Sequence, residues 1–156
     1  KRLRGLYIIR SETDKAKMAL LGNIFTHYNY QRTDIRFTRS SNQIDVVSTK
    51  SNLLVKVEER DGEIALPASS PFKDWKEARR FAGPLPFTFT YDADKQEVLI
   101  IEGVREDWTP KPVKVIESRV GFVDSLQQKG AVLANAFVIS DIPYYWKKGR
   151  KDKWMQ

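Results

Sequence analysis

Cysteine is absent from this sequence, and with it go every disulfide, every thiolate nucleophile and every Cys-ligated zinc or iron–sulfur centre. A reducing, cytoplasmic setting is therefore expected. There is a single histidine, His27, so a metal site built on two or three imidazoles cannot form within one chain, and no cofactor or metal is expected. No apolar run approaches the roughly 18 residues of a membrane-spanning helix; Val98 to Ile101 is typical of the longest. A membrane-embedded role is excluded on that reading. Also missing are Gly-x-Gly-x-x-Gly, the Gly-Lys-Ser/Thr phosphate loop and the Gly-x-Ser-x-Gly elbow, which removes the common nucleotide sites and a serine-hydrolase arrangement.

What is present is enough for a core. Hydrophobic residues make up 41% of 156, with 8 Phe, 6 Tyr and 4 Trp, a composition that contradicts disorder despite 30% charged residues. The net charge of +7 is confined to the ends. Lys1, Arg2 and Arg4 at one end, and Lys147, Lys148, Arg150, Lys151 and Lys153 net of Asp152 at the other, account for all of it. Residues 1–146 are expected as one domain and 147–156 as a basic polar tail, so nucleic acid is a disfavoured partner.

Leu6 to Ile9 reads as a strand, and Ser11-Glu12-Thr13-Asp14 as the start of a helix whose stripe of Ala16, Met18, Leu20, Leu21, Ile24 and Phe25 should pack on a sheet. Period-two alternation follows from Tyr28 to Arg39, with an irregularity, then at Ile44–Val46 and Leu53–Val57. Ser70-Pro71 opens a second helix, expected over 71–81 with Phe72, Trp75 and Ala78 inward, ended by Gly83-Pro84. Pro86–Tyr91 and Glu97–Ile101 form a hairpin across Asp92–Lys95, and 113–116 and 131–139 are further strands. This order predicts an α+β fold with a largely antiparallel sheet and two flanking helices, not a parallel sheet.

Candidate chemistry sits at three places. His27, beside Tyr28, is either a hydrogen-bonded structural histidine or a pocket acid–base group. Glu77 and Arg80 lie either in a solvated ion-pair network on the second helix or under the sheet, where burial would make Glu77 a fixed carboxylate. Glu102, Arg105 and Trp108 follow the most apolar strand. They form either a Glu102–Arg105 structural pair near Gly103 or part of a pocket, with arginine as an anion clamp and Trp108 as a wall.

Read together, Gly5–Thr13, Ser70-Pro71-Phe72 with Trp75–Phe81, Glu102–Arg105 with Trp108 and Pro112, Ala134–Phe137 and Ile142–Trp146 resemble the bacterial YqjF-like proteins of unknown function, placed in the acetoacetate decarboxylase-like superfamily. The resemblance implies a curved antiparallel sheet approaching a barrel, with a central cavity. It also implies a chain matching the C-terminal two thirds of the family fold, whose uncovered sheet edge would favour a homodimer. Decarboxylases of that superfamily use a desolvated lysine beside a second cation. The corresponding segment, Gly22 to Tyr30, contains no lysine, so Schiff-base decarboxylation is not expected. The expected function is a pocket for a small acidic or carbonyl compound, or an enzyme of unassigned reaction. The alternatives are a nucleic-acid binder using the basic ends and an interaction module without catalysis.

Overall fold

Two tight hairpin regions organise the chain, and they fall in different compact units of the computed structural model. It describes residues 3–82, 85–106, 108–126, 130–140 and 143–153; Lys1, Arg2, Gly83, Pro84, Ile142 and residues 154–156 of the expected tail lie outside these. One unit comprises Lys1–Arg32, Pro84–Trp108 and Asp141–Gln156, the other Thr33–Gly83 and Thr109–Ser140.

In the first unit, β7 (Phe87–Asp92) and β8 (Glu97–Arg105) pair antiparallel from Phe87↔Glu102 to Asp92↔Glu97, the hairpin the alternation predicts. β1 (Gly5–Tyr7) adds parallel to β7, while β12 (Tyr144–Trp146) and β13 (Arg150–Lys153) each add antiparallel to β8. Part of the stretch expected as a polar tail is thus an exposed edge strand. Its charges suit an edge, since Lys and Arg deter further strand pairing.

β2 (Ser11–Thr13) pairs parallel with β3 (Tyr30–Arg32), and α1 (Ala16–Thr26) lies between them in sequence. The helix does not begin at Ser11, because Ser11–Thr13 are committed to the ladder and the Thr13 hydroxyl accepts the Lys15 N–H at 3.2 Å. The larger departure is which side of α1 packs. Asn23 donates to the Tyr30 carbonyl (3.0 Å) and accepts from the Tyr30 N–H (2.5 Å), and Gly22 lies so close to the Tyr30 ring that a Cβ would collide with it. The polar, small side is held against β3, and no residue of α1 is buried.

In the second unit, β4 (Arg36–Ser40), β5 (Gln43–Ser48) and β6 (Leu53–Glu58) form the expected antiparallel meander. β10 (Lys114–Val120) completes the sheet in the order β10-β6-β5-β4, with a bulge between Val115 and Glu117. α3 (Gly121–Ser125) was not foreseen. β9 (Lys111–Pro112) meets β11 (Phe137–Val138), which is all that 131–139 contributes as strand. The rest of that segment makes single contacts instead of a ladder: Leu133 accepts from the Ser69 hydroxyl and Ala136 from the Val113 N–H.

α2 (Trp75–Ala82) starts four residues later than Ser70-Pro71 suggests. Ser70 does accept the Phe72 N–H, but Asp74 is the cap in use: its carboxylate takes the Glu77 N–H at 2.7 Å while Glu77 reaches back to the Lys73 N–H at 2.9 Å. Of the three residues expected inward, Ala78 is buried and Phe72 and Trp75 are half-buried.

The fold class is therefore α+β with mostly antiparallel sheets, with three helices among the described residues where two were expected, and the sheets do not close into a barrel. The break at 33–35 explains why one strand could not run from Tyr28 to Arg39. There Asp34 accepts from the Ser48 hydroxyl (2.5 Å) and the Lys50 N–H (3.1 Å), and Thr33 and Ser48 are buried beside it. The Ser48 hydrogen bond, chiefly, holds the Asp34 carboxyl down to about 2 from 3.8. A carboxylate whose folded value lies below its unfolded one stabilises fully above about 3.8 and loses that contribution as pH falls towards 2. Urea titrations should show the wild type losing its advantage over Asp34→Asn across that window; a constant difference would contradict it.

Candidate functional site

The second unit contains a cleft of about 560 Å³ between the segment 63–68 and the outer edge of β10. Its walls are set by local chemistry. Asp61-Gly62 turns the chain out of β6, with Gly62 at φ 91°, a left-handed conformation that glycine adopts without strain. Beyond the turn, Trp75 Nε1 donates to the Ile64 carbonyl at 2.5 Å, the Ser70 N–H to the Pro67 carbonyl at 2.8 Å and the Ser69 hydroxyl to the Leu133 carbonyl at 2.8 Å. A segment without regular structure is thus pinned at three points. The floor is apolar, with Ile64, Leu66, Val115 and Leu133 beside buried Val113.

Charge gathers at the rim. Lys114 stands opposite Glu58 in the β10–β6 ladder, and Arg60 Nε donates to the Glu58 carboxylate at 2.8 Å while Asn42 donates from the other side at 3.1 Å. That Arg60 hydrogen bond is the main reason the Glu58 carboxyl titrates below its ordinary range. Glu117, also on the rim, pairs with Lys56 at 3.3 Å. Arg60 is shared with a neighbouring polar cleft of about 650 Å³ lined by Ser41, Asn42, Glu59, Asp61, Lys111 and Pro112.

The seven residues singled out from the sequence are placed elsewhere, and none lines these two clefts. Five belong to the first unit. His27 caps α1 in a left-handed conformation, φ 54°, and is exposed. Tyr28 is only 3% exposed, its hydroxyl hydrogen-bonded to Thr88 and its ring edge-on to Trp146 at 5.6 Å. Glu102 pairs with Lys147 at 3.0 Å and not with Arg105, whose guanidinium lies 4.7 Å from the centre of the Trp108 ring. No bulge forms at Gly103, which pairs directly with Trp146. Glu77 and Arg80 belong to the second unit, both exposed, so the buried-carboxylate role foreseen for Glu77 is replaced by capping.

Arg60, Lys114 and Glu117 escaped sequence reading because each looks like ordinary charge in or beside a strand. The usable signal was Asp61-Gly62, which marks where a strand stops and a wall can begin. Among the described residues no group of three or more His, Asp or Glu could hold a metal ion, and no helix is long and apolar enough to cross a membrane. Scans of the chain against protein-family models, curated proteins and solved structures return no match.

Proposed function

We propose that this chain is a small-molecule-binding domain, related to the YqjF-like proteins of the acetoacetate decarboxylase-like superfamily, and that it takes a small acidic or carbonyl compound in the cleft beside β10. The observation that carries this reading is an apolar lining of Ile64, Leu66, Val115 and Leu133 with Lys114 beside it among the charged residues Arg60, Glu63 and Glu117, in a volume of the size that holds metabolites. An acid would lay its hydrocarbon body against Leu66, Val115 and Leu133. Its carboxylate or carbonyl oxygen would meet Lys114, whose partner across the ladder, Glu58, is already engaged by Arg60.

Binding is favoured over Schiff-base decarboxylation. A nucleophilic lysine needs desolvation to lose its proton, and no described lysine is buried: Lys147 and Lys148 are exposed, as is Lys114.

Thermal-shift and calorimetric titration with a panel of short aliphatic and aromatic carboxylates and ketones tests the proposal. At least one class should raise Tm. Lys114→Met should weaken its binding by about tenfold or more, equivalent to losing one charge-assisted hydrogen bond. Leu133→Trp, which fills the floor, should abolish it, and His27→Ala should leave it unchanged. A silent panel, or binding that survives Leu133→Trp, overturns the assignment.

A further inference from the structure

The cleft beside β10 has a neighbour. A second cleft of about 420 Å³ shares Val115, Ser118 and Leu133 with it and adds Val55, Val57, Val120 and Val132. Val55 and Val57 are two apart on β6 and share a face, so their ladder partners Ser118 and Val115 share it too. Those partners are three apart. The bulge between Val115 and Glu117 is what returns Ser118 to the face of Val115, and Val120, two residues further, extends the row. The segment 131–136, on the other side of this cleft, is tied down where the Ser69 hydroxyl donates to the Leu133 carbonyl at 2.8 Å and the Val113 N–H to the Ala136 carbonyl at 3.2 Å.

We infer, building on the assignment of the first cleft to a small acid or carbonyl compound, that the ligand carries an unbranched hydrocarbon tail which runs along Val115 and Leu133 into the second cleft. The head group stays beside Lys114.

The two linings select such a molecule. Arg60, Glu63, Lys114 and Glu117 all line the first cleft, whereas the second offers the valine row, its charged residues Arg119 and Asp124 being exposed. An occupant of both is therefore polar at one end and apolar at the other. A polypeptide fits the second cleft poorly. A strand laid there would meet the side chains of a sheet face, not the N–H and C=O groups of an edge, and would leave its own backbone groups unpaired on that side. One turn of helix, about 10 Å across and about 5.4 Å long, already takes about 400 Å³. An alkyl chain has no polar group to satisfy.

Calorimetric titration with straight-chain monocarboxylates and 2-ketones of about four to about twelve carbons, kept below micelle formation, tests this; each added methylene should tighten binding about two- to fourfold. Val132→Glu should cancel the gain of the long members and leave the short ones unchanged, which also reports that the variant is folded, as expected for a residue 56% exposed. In the unaltered protein, the methyl resonances of Val120 and Val132 should shift with a ten-carbon acid and not with a four-carbon one. Phe25→Glu, on the exposed apolar side of α1, should change nothing. If short acids bind and Lys114→Met weakens them but affinity does not rise with length, the tail assignment is overturned and the first cleft stands. A rise with length that survives Val132→Glu and is lost in Phe25→Glu overturns it as well, by placing the tail on α1. Absence of binding at every length removes the assignment of the first cleft and the tail with it.

Discussion

Tyr28→Ala should lower the stability of the first unit by about 3–5 kcal/mol, the cost of emptying a buried aromatic site that cannot fully collapse. Tyr28 sits with Leu99 and Ile101 at the centre of that unit's core, at 3%, 7% and 2% exposure, with Ile8 and Tyr30 packed around them. Its ring also meets Trp146 edge-on and Tyr30 at 6.1 Å, contacts that add to the area term. For a chain of this length such a loss corresponds to a Tm drop of roughly 10 °C or more, measurable by calorimetry. Tyr28→Phe separates the ring from its hydroxyl. The Thr88 hydroxyl would lose Tyr28 but keep the Ile101 carbonyl at 3.4 Å, so the expected cost is only about 1 kcal/mol. If Tyr28→Phe were neutral for stability yet removed ligand binding, Tyr28 would return to the functional role its sequence position suggested.

Gly5→Val should destabilise by about 1–3 kcal/mol, against what strand propensity predicts. Valine is a better strand former than glycine, so an exposed, roomy position would gain from the change. Gly5, however, pairs with Phe87 at the parallel β1–β7 junction, and a Cβ there would run into the Phe87 carbonyl and the Phe89 ring. The carbonyl is backbone and cannot swing aside, so β1 must separate from β7. Faster hydrogen exchange at the Ile8 N–H, which donates to the Phe89 carbonyl at 3.1 Å, would report that separation. A stabilised variant with unchanged exchange would show that the junction relaxes at no cost.

The β4–β5–β6 meander and the β7–β8 hairpin were legible because their information is local: period-two alternation and a turn between two apolar runs. The start of α2 was misread because two capping residues compete within five positions, and Asp74, with Glu77 three residues on, outweighs Ser70. For α1 the apolar stripe was visible, but periodicity states only that a helix has a greasy side, not which side its neighbours take. Asn23 decides that through two hydrogen bonds to Tyr30, seven residues away, which no stripe-counting rule weighs.

The candidate site was less legible still. Glu102 and Arg105 are three residues apart in the sequence and invited pairing, yet each found another partner: Lys147 for Glu102, and Trp108 for Arg105. Conversely Lys114 and Glu58 are far apart along the chain and become neighbours only through the β10–β6 register.

By itself the sequence determined which segments are strands and helices over most of the chain, and which metal, thiol and nucleotide chemistries lack their residues. It also determined that the excess charge lies at the ends. Only the tertiary structure decided which side of α1 is outward, that Arg150–Lys153 form an edge strand, and that Arg60 and Lys114 share a cleft. The physical reason is range. Backbone preference and turn chemistry act over a few residues, whereas a side chain's burial and partner depend on strands brought together from 45 or 60 positions apart, as with Lys147–Glu102 and Tyr28–Thr88.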